Sequence, residues 1–577
     1  MSLKRGRRIS FFLKLLFCIS VFCGFLIFFP QLAVQPESQT KNSQDISTII
    51  IPHFDFFKDK RQAFIDSLPN DLNPKKIIVV SVDHFNAGPT DITITKKSWN
   101  FQNVKISPEN EMYENLIDLK IASSDDITFD TEHGIKNVLP DLAQRFKKAE
   151  FLPIIIKSTT PKNEVDKLND QLTKCKDCLL VASVDFSHYN QSALAEIHDQ
   201  YSVDALSDLD LDKIWSAETD SPQTLYLAAR FAKEKDTPNF DLFFNSNSGE
   251  AASKDDSETT SVVIGSYSLK ESSQKIEKSA TFLFGGDLMF DRLINHQFKD
   301  TGFDKIFDQF GNRVFWGSDL AVANLEGPIS DQPILDDVST DNLVFNFPTK
   351  SLDALRFLKL NAVSLANNHT SNAGQSGFDI TKALLVKNQI GFFGSSDGIN
   401  KNSVKEFLSP IPISVIGVNL LSSPNEQEII KMIKDEKNKD NFVILYPHWG
   451  SEYQKKHSAN QSSVAHSWID NGADMIIGSH PHVTQDFEIY NGKPIIYSLG
   501  NLLFDQTFSL DTQEGLLVGG IITEKNVQIS FFPTRQVKLK PELLVGAEKQ
   551  AKIESIINIE GQNGFKKLKS DTITIDR

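Results

Sequence analysis

Five apolar stretches in the second half of this chain each run into a short polar motif. Residues 282–285 lead into Gly286-Asp287, residues 320–323 into Asn324-Leu325-Glu326, and residues 362–365 into the Asn367-Asn368-His369 motif. Residues 442–445 lead into His448-Trp449-Gly450, and residues 475–478 into His480-Pro481-His482. Ligands of open α/β sheets bind outside the carboxyl ends of the strands. Five strand ends can therefore gather carboxylates, an amide and imidazoles at one place, which is the donor mix of a two-metal hydrolytic site. Phosphoester hydrolysis needs a nucleophile, a place for the leaving oxygen and neutralised charge, and paired divalent cations supply all three. On this reading Asp287 and His482 serve one metal, Asn368, His448 and His480 serve the other, and Glu326 bridges them. His369 adjoins the pair, to orient phosphate or protonate the leaving group. Asp287, Glu326 and His369 are the expected catalytic residues, with manganese, iron or zinc as the expected metals.

The first half repeats the logic with different motifs. Residues 48–51 lead into Pro52-His53, residues 77–82 into Asp83-His84, and residues 179–184 into Asp185-Phe186-Ser187-His188. Glu132-His133 opens a helical stretch carrying Ile135, Val138 and Leu142. His53, His84, His133 and His188 can converge on a second pocket with Asp185, which has room for a single metal. Asp185 and His188 could equally form a buried hydrogen-bonded pair that fixes a strand end.

Strands alternating with helical stretches on either side of these motifs predict an α/β fold, with two layered α/β domains following an N-terminal transmembrane helix. Lys4, Arg5, Arg7 and Arg8 precede an apolar run over residues 9–30, interrupted by Lys14 and a few small polar residues. A basic flank before a membrane-length stretch predicts a signal anchor with its N-terminus inside and both domains extracytoplasmic; a cleaved signal peptide is the alternative. The expected organisation is a basic tail (1–8), the anchor (9–30), a linker (31–47), a first domain (48–269), a linker (270–278), a second domain (279–540) and a C-terminal appendage (541–577). The length of 577 residues is enough for each half to bury its own core. The formal net charge of −15 argues against a nucleic-acid partner, which calls for a basic face. Of four cysteines, Cys175 and Cys178 stand in one C-x-x-C, too few for a four-cysteine zinc site, and read as a local disulfide of an exported domain.

The second-half motifs, Gly286-Asp287-Leu288-Met289, Asn324-Leu325-Glu326-Gly327-Pro328, Leu365-Ala366-Asn367-Asn368-His369, His448-Trp449-Gly450-Ser451-Glu452-Tyr453, Gly478-Ser479-His480-Pro481-His482 and Tyr497-Ser498-Leu499-Gly500-Asn501, resemble the CapA/PgsA capsule and poly-γ-glutamate biosynthesis family. That family looks like a branch of the calcineurin-like metallophosphoesterases. Met289 stands where the broader pattern has His, Glu326 replaces the usual bridging Asp, and Asp291 is a candidate for the missing ligand.

In the first half, Ile51-Pro52-His53, Ser81-Val82-Asp83-His84, the stretch from Glu132-His133 to Pro140, and Ser183 to Tyr189 resemble the Memo family (the protein B component of the AmmeMemoRadiSam system), which is similar in fold to class III extradiol dioxygenases. Register on Pro222 places Glu218 where that family usually has Cys, a departure that weakens a thiol- or copper-based role. A Glu beside His53 and His84 would instead resemble a two-His-one-carboxylate set for non-haem iron, and the alternative is a pocket that binds an acidic or peptide-like ligand without turnover. Together the resemblances imply a membrane-anchored protein of capsule or poly-γ-glutamate-type polymer synthesis, with a metal-dependent hydrolase site. An anionic envelope polymer or phosphoester is the expected substrate, and polymer-synthesis subunits are possible partners. The alternatives are a non-catalytic, metal-dependent binder of such a polymer and a dioxygenase-like enzyme in the first half.

Overall fold

The computed structural model describes residues 46–577, apart from 102–103, 255–257, 273–274, 311–312, 331–338, 340, 558–564 and 570. The predicted anchor over residues 9–30 lies outside the described residues. Among the described residues no helix is long and apolar enough to cross a membrane.

The first half is built on a mixed sheet whose centre is four parallel strands in the order Ile46–Ile51, Cys178–Ser183, Lys76–Val82 and Glu150–Ile156. These strands are rich in Ile, Val and Leu with almost no alternation, as strands covered on both faces must be. One face packs Ile78, Val80, Leu152 and Leu180 against helices that include Pro222–Glu234. The other packs Ile77, Val79, Phe151 and Leu179 against Ile135, Val138 and Leu142. Ile135 and Leu142 lie on two short helices, His133–Lys136 and Leu139–Arg145, with Val138 between them, and Glu132 caps the first through the Gly134 N–H. Cys175 and Cys178 are joined as a disulfide at the start of one central strand.

The second half has two sheets rather than one. A ten-stranded mixed sheet contains the parallel run Ser279–Leu288, Leu320–Leu325, Ala362–Ser364 and Gly391–Phe393. A six-stranded sheet contains Ile413–Asn419, Phe442–His448, Met475–Ile477 and Lys493–Ile496, also parallel. Phe282, Phe284 and Val322 of the large sheet meet Val415, Ile444, Tyr446 and Met475 of the small one in a shared core. The intervening Leu283 and Ala321 point to the opposite face, as the period of two requires. The five motif-bearing strand ends thus come from two facing sheets. Two of the strands run further than the apolar pattern suggests: Asp287 lies within its strand and His448 is the last residue of its own.

The described residues of 270–278 form no helix or strand, but the halves are not loosely tethered. Helix Ser192–Ser207 of the first half buries Ala193, Leu194 and Ile197 in the same core as Leu283 and Leu517 of the second. The side-chain amide of Gln191 donates to the Leu544 carbonyl at 2.9 Å, and Lys549 donates to Gln191 Oε1 at 2.8 Å. The C-terminal segment is likewise integrated rather than appended. Strand Thr572–Asp576 pairs antiparallel with Asn526–Val537, burying Ile573 and Ile575 in the intersheet core.

Candidate metal centres

In the second half the strand ends converge as two overlapping donor groups. Asp287, Glu326 and His482 form one, and Glu326, His448 and His480 form the other; within each, the donor atoms lie within 4.8 Å of one another. Glu326 is common to both. The backbone fixes this arrangement before any side chain acts. Asp287 N–H donates to the Gly500 carbonyl at 3.0 Å, and Glu326 N–H donates to the Leu288 carbonyl at 2.9 Å. Gly286 permits the first contact, because a Cβ there would collide with the Gly500 carbonyl oxygen. His480 and His482 both have positive φ, 98° and 56°, and only Pro481 separates them. Such backbone costs about 1–3 kcal/mol per residue and persists where the surrounding structure over-determines it.

A ring of polar side chains aims the donors. Asn324 Nδ2 donates to Asp287 Oδ1 at 2.8 Å and to Glu326 Oε2 at 3.2 Å. Asn367 Nδ2 holds Asn324 in turn, donating to its Oδ1 at 2.9 Å. His448 Nδ1 lies 3.1 Å from Ser479 Oγ, leaving Nε2 facing Asn368 Oδ1 at 2.8 Å and Glu326 Oε1 at 3.8 Å. His482 Nδ1 lies 3.0 Å from Asn501 Oδ1 and 3.3 Å from Asp287 Oδ2. His369 stands at the edge of the site, outside both donor groups, with its ring 4.3 Å from that of Phe345 and Nδ1 3.0 Å from Asn372 Oδ1.

Burial dominates the electrostatics. It raises the Glu326 carboxyl well above its usual range, and the neighbouring Asp287 charge adds to the shift. Burial also pushes His448 well down and His480 to about 4, helped in each case by neighbouring imidazoles. His448 and His480 are therefore held neutral, with lone pairs available. Glu326 Oε1 and His480 Nδ1 are buried without hydrogen-bond partners. Buried polar atoms are rarely left so, and neutral imidazoles beside orphaned carboxylate oxygens fit divalent cations.

Asp291, the candidate for a missing ligand, lies elsewhere in function. It caps helix Arg292–Phe298, and its other oxygen accepts the Asn346 N–H at 2.8 Å. A carboxylate not singled out from sequence as a ligand, Glu452, forms a third donor group with His480 and His482 from an exposed position. Its signal was its place in the same motif as His448. His457 and His466 pair with Asp486 and Glu488, away from the donor groups.

The first-half pocket opens at the carboxyl ends of the four central strands. His53, His84 and His133 form one donor group, and His53, Asp185 and Asp220 another. His53 Nε2 lies 3.1 Å from both Asp185 Oδ2 and Asp220 Oδ2, and His84 Nε2 lies 3.7 Å from Asp220. The far nitrogen of His84 is oriented by Glu132, with Nδ1 to Oε1 at 2.6 Å, the carboxylate–histidine arrangement that fixes a metal-binding ring. His188 lines the same cavity, and its Nδ1 donates to the Phe186 carbonyl at 2.5 Å. Asp185 also accepts the His53 N–H at 3.1 Å, so it ties the two strand ends together as well as facing the pocket. Burial would lower His84, but its hydrogen bonding to the Asp220 and Glu132 carboxylates outweighs this and raises it to about 9. Burial would raise Asp220, but His53 and His84 hold it below its usual range. The site is thus set to hold positive charge between carboxylates. Asp220 Oδ1 is buried and unpartnered, which again fits a cation.

The expected carboxylate, Glu218, is not in this pocket. Glu218 is buried at the junction of the halves, 3.5 Å from His198 Nδ1 and 3.1 Å from Arg313 Nη1. The residue beside His53 and His84 is Asp220. The chain is not yet helical here: Pro222 begins the helix, Ser221 caps it, and the Asp220 N–H pairs with the Asp185 carbonyl at 3.1 Å. A register counted from Pro222 reaches two residues too far along this segment, which bends at Thr219 and Asp220 and sends the two carboxylates into different surroundings.

The geometry defines an α/β protein with two separate histidine–carboxylate centres, one in each half. Comparison with known families agrees half by half. Residues 29–259 match the family described as Memo-like protein, and residues 281–419 and 400–506 match Bacterial capsule synthesis protein PGA_cap. The chain is 30% identical over 258 residues to "PGA biosynthesis protein CapA" of Bacillus subtilis, covering 42% of this chain and 66% of that protein. It is 27% identical over 259 residues to "Capsule biosynthesis protein CapA" of Bacillus anthracis, covering 41% and 62%. A "MEMO1 family protein" of Nitrosopumilus maritimus is 23% identical over 186 residues, covering 31% of this chain and 68% of the relative. This chain spans just under two thirds of the length of the two CapA proteins. Its first half is Memo-like, and its second half resembles the CapA capsule and poly-γ-glutamate synthesis proteins.

Proposed function

We propose that the second half is a metal-dependent hydrolase or transferase acting on an anionic envelope polymer or on a phosphoester linked to it. The reading rests on Glu326, a buried carboxylate common to two donor groups with an oxygen that has no other partner. Asp287 and His482 would hold one divalent cation, and His448, His480 and Asn368 the other, with Glu326 between them. Such a pair supplies Lewis-acid polarisation and a water activated at neutral pH. The protein's own part is positioning. Asn324 and Ser479 hold Asp287, Glu326 and His448 in register. Burial lowers the His369 pKa, which suits this ring to hydrogen bonding a leaving or phosphoryl oxygen more than to delivering a proton. The names of the CapA relatives support capsule or poly-γ-glutamate-type synthesis as the setting. An anchor over residues 9–30 would hold both halves outside the cytoplasmic membrane, near polymer-synthesis subunits. Elemental analysis of the protein beside its Asp287→Ala/His480→Ala variant, followed by a phosphoester screen, tests the reading. Near two equivalents of manganese, iron or zinc, reduced in the variant, supports it. Metal content that the substitutions leave untouched sinks it.

A second reading concerns the first half and rests on the orphaned Asp220 Oδ1. His53, His84 and Asp220 would hold a single cation as a two-His-one-carboxylate set, with His133 alongside, which is the ligand pattern of non-haem iron oxygenases. Iron lost in Asp220→Asn and retained in Glu218→Gln supports it; iron insensitive to Asp220→Asn excludes it.

A further inference from the structure

The cavity over the first-half histidines, about 1000 Å³, is not enclosed by the first half alone. Its far wall is made by the second: Asp308, Phe310 and Arg313 from one segment, and Glu542, Leu543 and Val545 from another. The histidine cluster therefore faces side chains that lie more than a hundred residues away in sequence. A Memo-like half by itself would present this cavity open to solvent.

The charges on that wall are unevenly satisfied. Asp308 is paired with Lys540 at 3.7 Å, and Asp55 on the opposite side with Arg61 at 3.1 Å. Arg313 is only half used. Its Nη1 donates to Glu218 Oε1 at 3.1 Å and to the Thr219 carbonyl at 3.0 Å, and its guanidinium lies 5.6 Å from the Trp316 ring. Glu218 is fully buried, so this anchor is rigid. Nε and Nη2 make no hydrogen bond or ion pair among the described residues and belong to a side chain that lines the cavity. Glu542 is half-buried, lines the same cavity, and has no ion pair or hydrogen bond among the described residues. Glu258, exposed on the rim, adds a second unpaired carboxylate. A guanidinium edge held by a buried carboxylate is a fork that matches a ligand carboxylate. An unpaired, half-buried glutamate in the same cavity calls for a cationic partner.

We propose that this cavity, shared by the two halves, binds a peptide-like zwitterion, with its carboxylate on Arg313 and its amine at Glu542, laid across the histidine cluster. On this view the second half selects the ligand and the first half supplies the reactive floor. The proposal is independent of the second half's own metal centre, and it explains why the two halves are buried against each other.

Isothermal titration calorimetry of the full protein with trialanine, its C-terminal amide and its N-acetyl form tests this. An extended tripeptide spans about 10 Å, a reach suited to such a cavity. Trialanine is expected to bind, and each blocked form at least tenfold more weakly. Arg313→Gln should abolish the preference for the free carboxylate, and Glu542→Gln the preference for the free amine. Because Arg313→Gln leaves Glu218 buried with one partner fewer, Val545→Trp serves as a second variant. Val545 lines the cavity and is 55% exposed, so the larger side chain fills the cavity from the second half without altering a charge, and it should remove binding while the unfolding midpoint stays near that of the parent. Equal affinity for all three peptides, no binding of any of them, or preferences retained in Glu542→Gln and Val545→Trp would overturn the proposal.

Discussion

Replacing Glu326 with Gln should stabilise the protein without metal and remove its response to metal. Glu326 and Asp287 are both fully buried, and the donor atoms of their group lie within 4.8 Å. Two unit charges at that distance repel by about 3 kcal/mol at an effective dielectric of about 20. In the metal-free protein the buried Arg292 guanidinium, itself paired with Asp505, offsets this only in part, and the repulsion adds to the burial that raises the Glu326 carboxyl. A carboxyl raised on folding contributes stability fully below its ordinary value of 4.5 and loses it as pH rises toward the folded value. Parent and Glu326→Gln should therefore unfold at the same temperature near pH 4 in chelator, and the variant should gain as pH rises. At about 2 °C per kcal/mol for a body of this size, the gain approaches roughly 5 °C at pH 9. Saturating metal reverses the order. A ligand at a hundred times its Kd adds about 2.7 kcal/mol to the parent, whereas the variant lacks the donor shared by both groups and should respond little. The assay is thermal unfolding followed by circular dichroism, with chelator or manganese, across that pH range. An unchanged midpoint at pH 9 together with an intact manganese response would refute the account of Glu326 as a charge held in place for cations.

Four further outcomes follow from the structure. Glu218→Ala strands Arg313 and His198 at the junction of the halves and should cost about 3–5 kcal/mol in a denaturant titration. Asp220→Asn, which removes the carboxylate that His53 and His84 hold ionised, should lower metal uptake by the first half and also destabilise the protein at neutral pH, a cost that shrinks as pH falls below about 4. Asp204, in the helix at that junction, is raised by burial to about 7 despite hydrogen bonds from Ser279 and Gln200; its stabilising effect is lost as pH rises from about 4 to 7, so Asp204→Asn should raise the midpoint at pH 8 and not at pH 4, by at most about 4 kcal/mol. Gly286→Ala drives a methyl into the Gly500 carbonyl oxygen; the strands must separate there, and loss of more than about 2 kcal/mol together with metal binding is expected, since overpacking against backbone has no side chain to yield.

Much of both centres was legible because sheet proteins place polar chemistry where apolar strands end. Apolar runs followed by Asp287, Glu326, Asn368, His448, His480 and His482 point to one locus whatever the sheet order, and His53, His84 and Asp185 do the same in the first half. What that pattern does not contain is pairing across the fold. The split of the five strands between two facing sheets depends on which faces meet, and nearly continuous apolar strands carry no mark of it. Glu132 looked like a helix opener and does cap a helix, but its aim at His84 comes from a contact 48 residues away in sequence. The choice between Glu218 and Asp220 turned on a bent, irregular segment before Pro222. No strand or helix period applies there, and tertiary contacts set Glu218 against Arg313 at the junction while Asp220 faces the histidines. The shared cavity wall at Arg313 and Glu542 is the furthest from sequence, because nothing local relates those positions to His53. The sequence by itself determined which residues could do chemistry and that they sit at strand ends, since that follows from local periodicity. The tertiary structure alone decided which carboxylate meets which imidazole and that one half closes the pocket of the other, since those depend on contacts between segments remote along the chain.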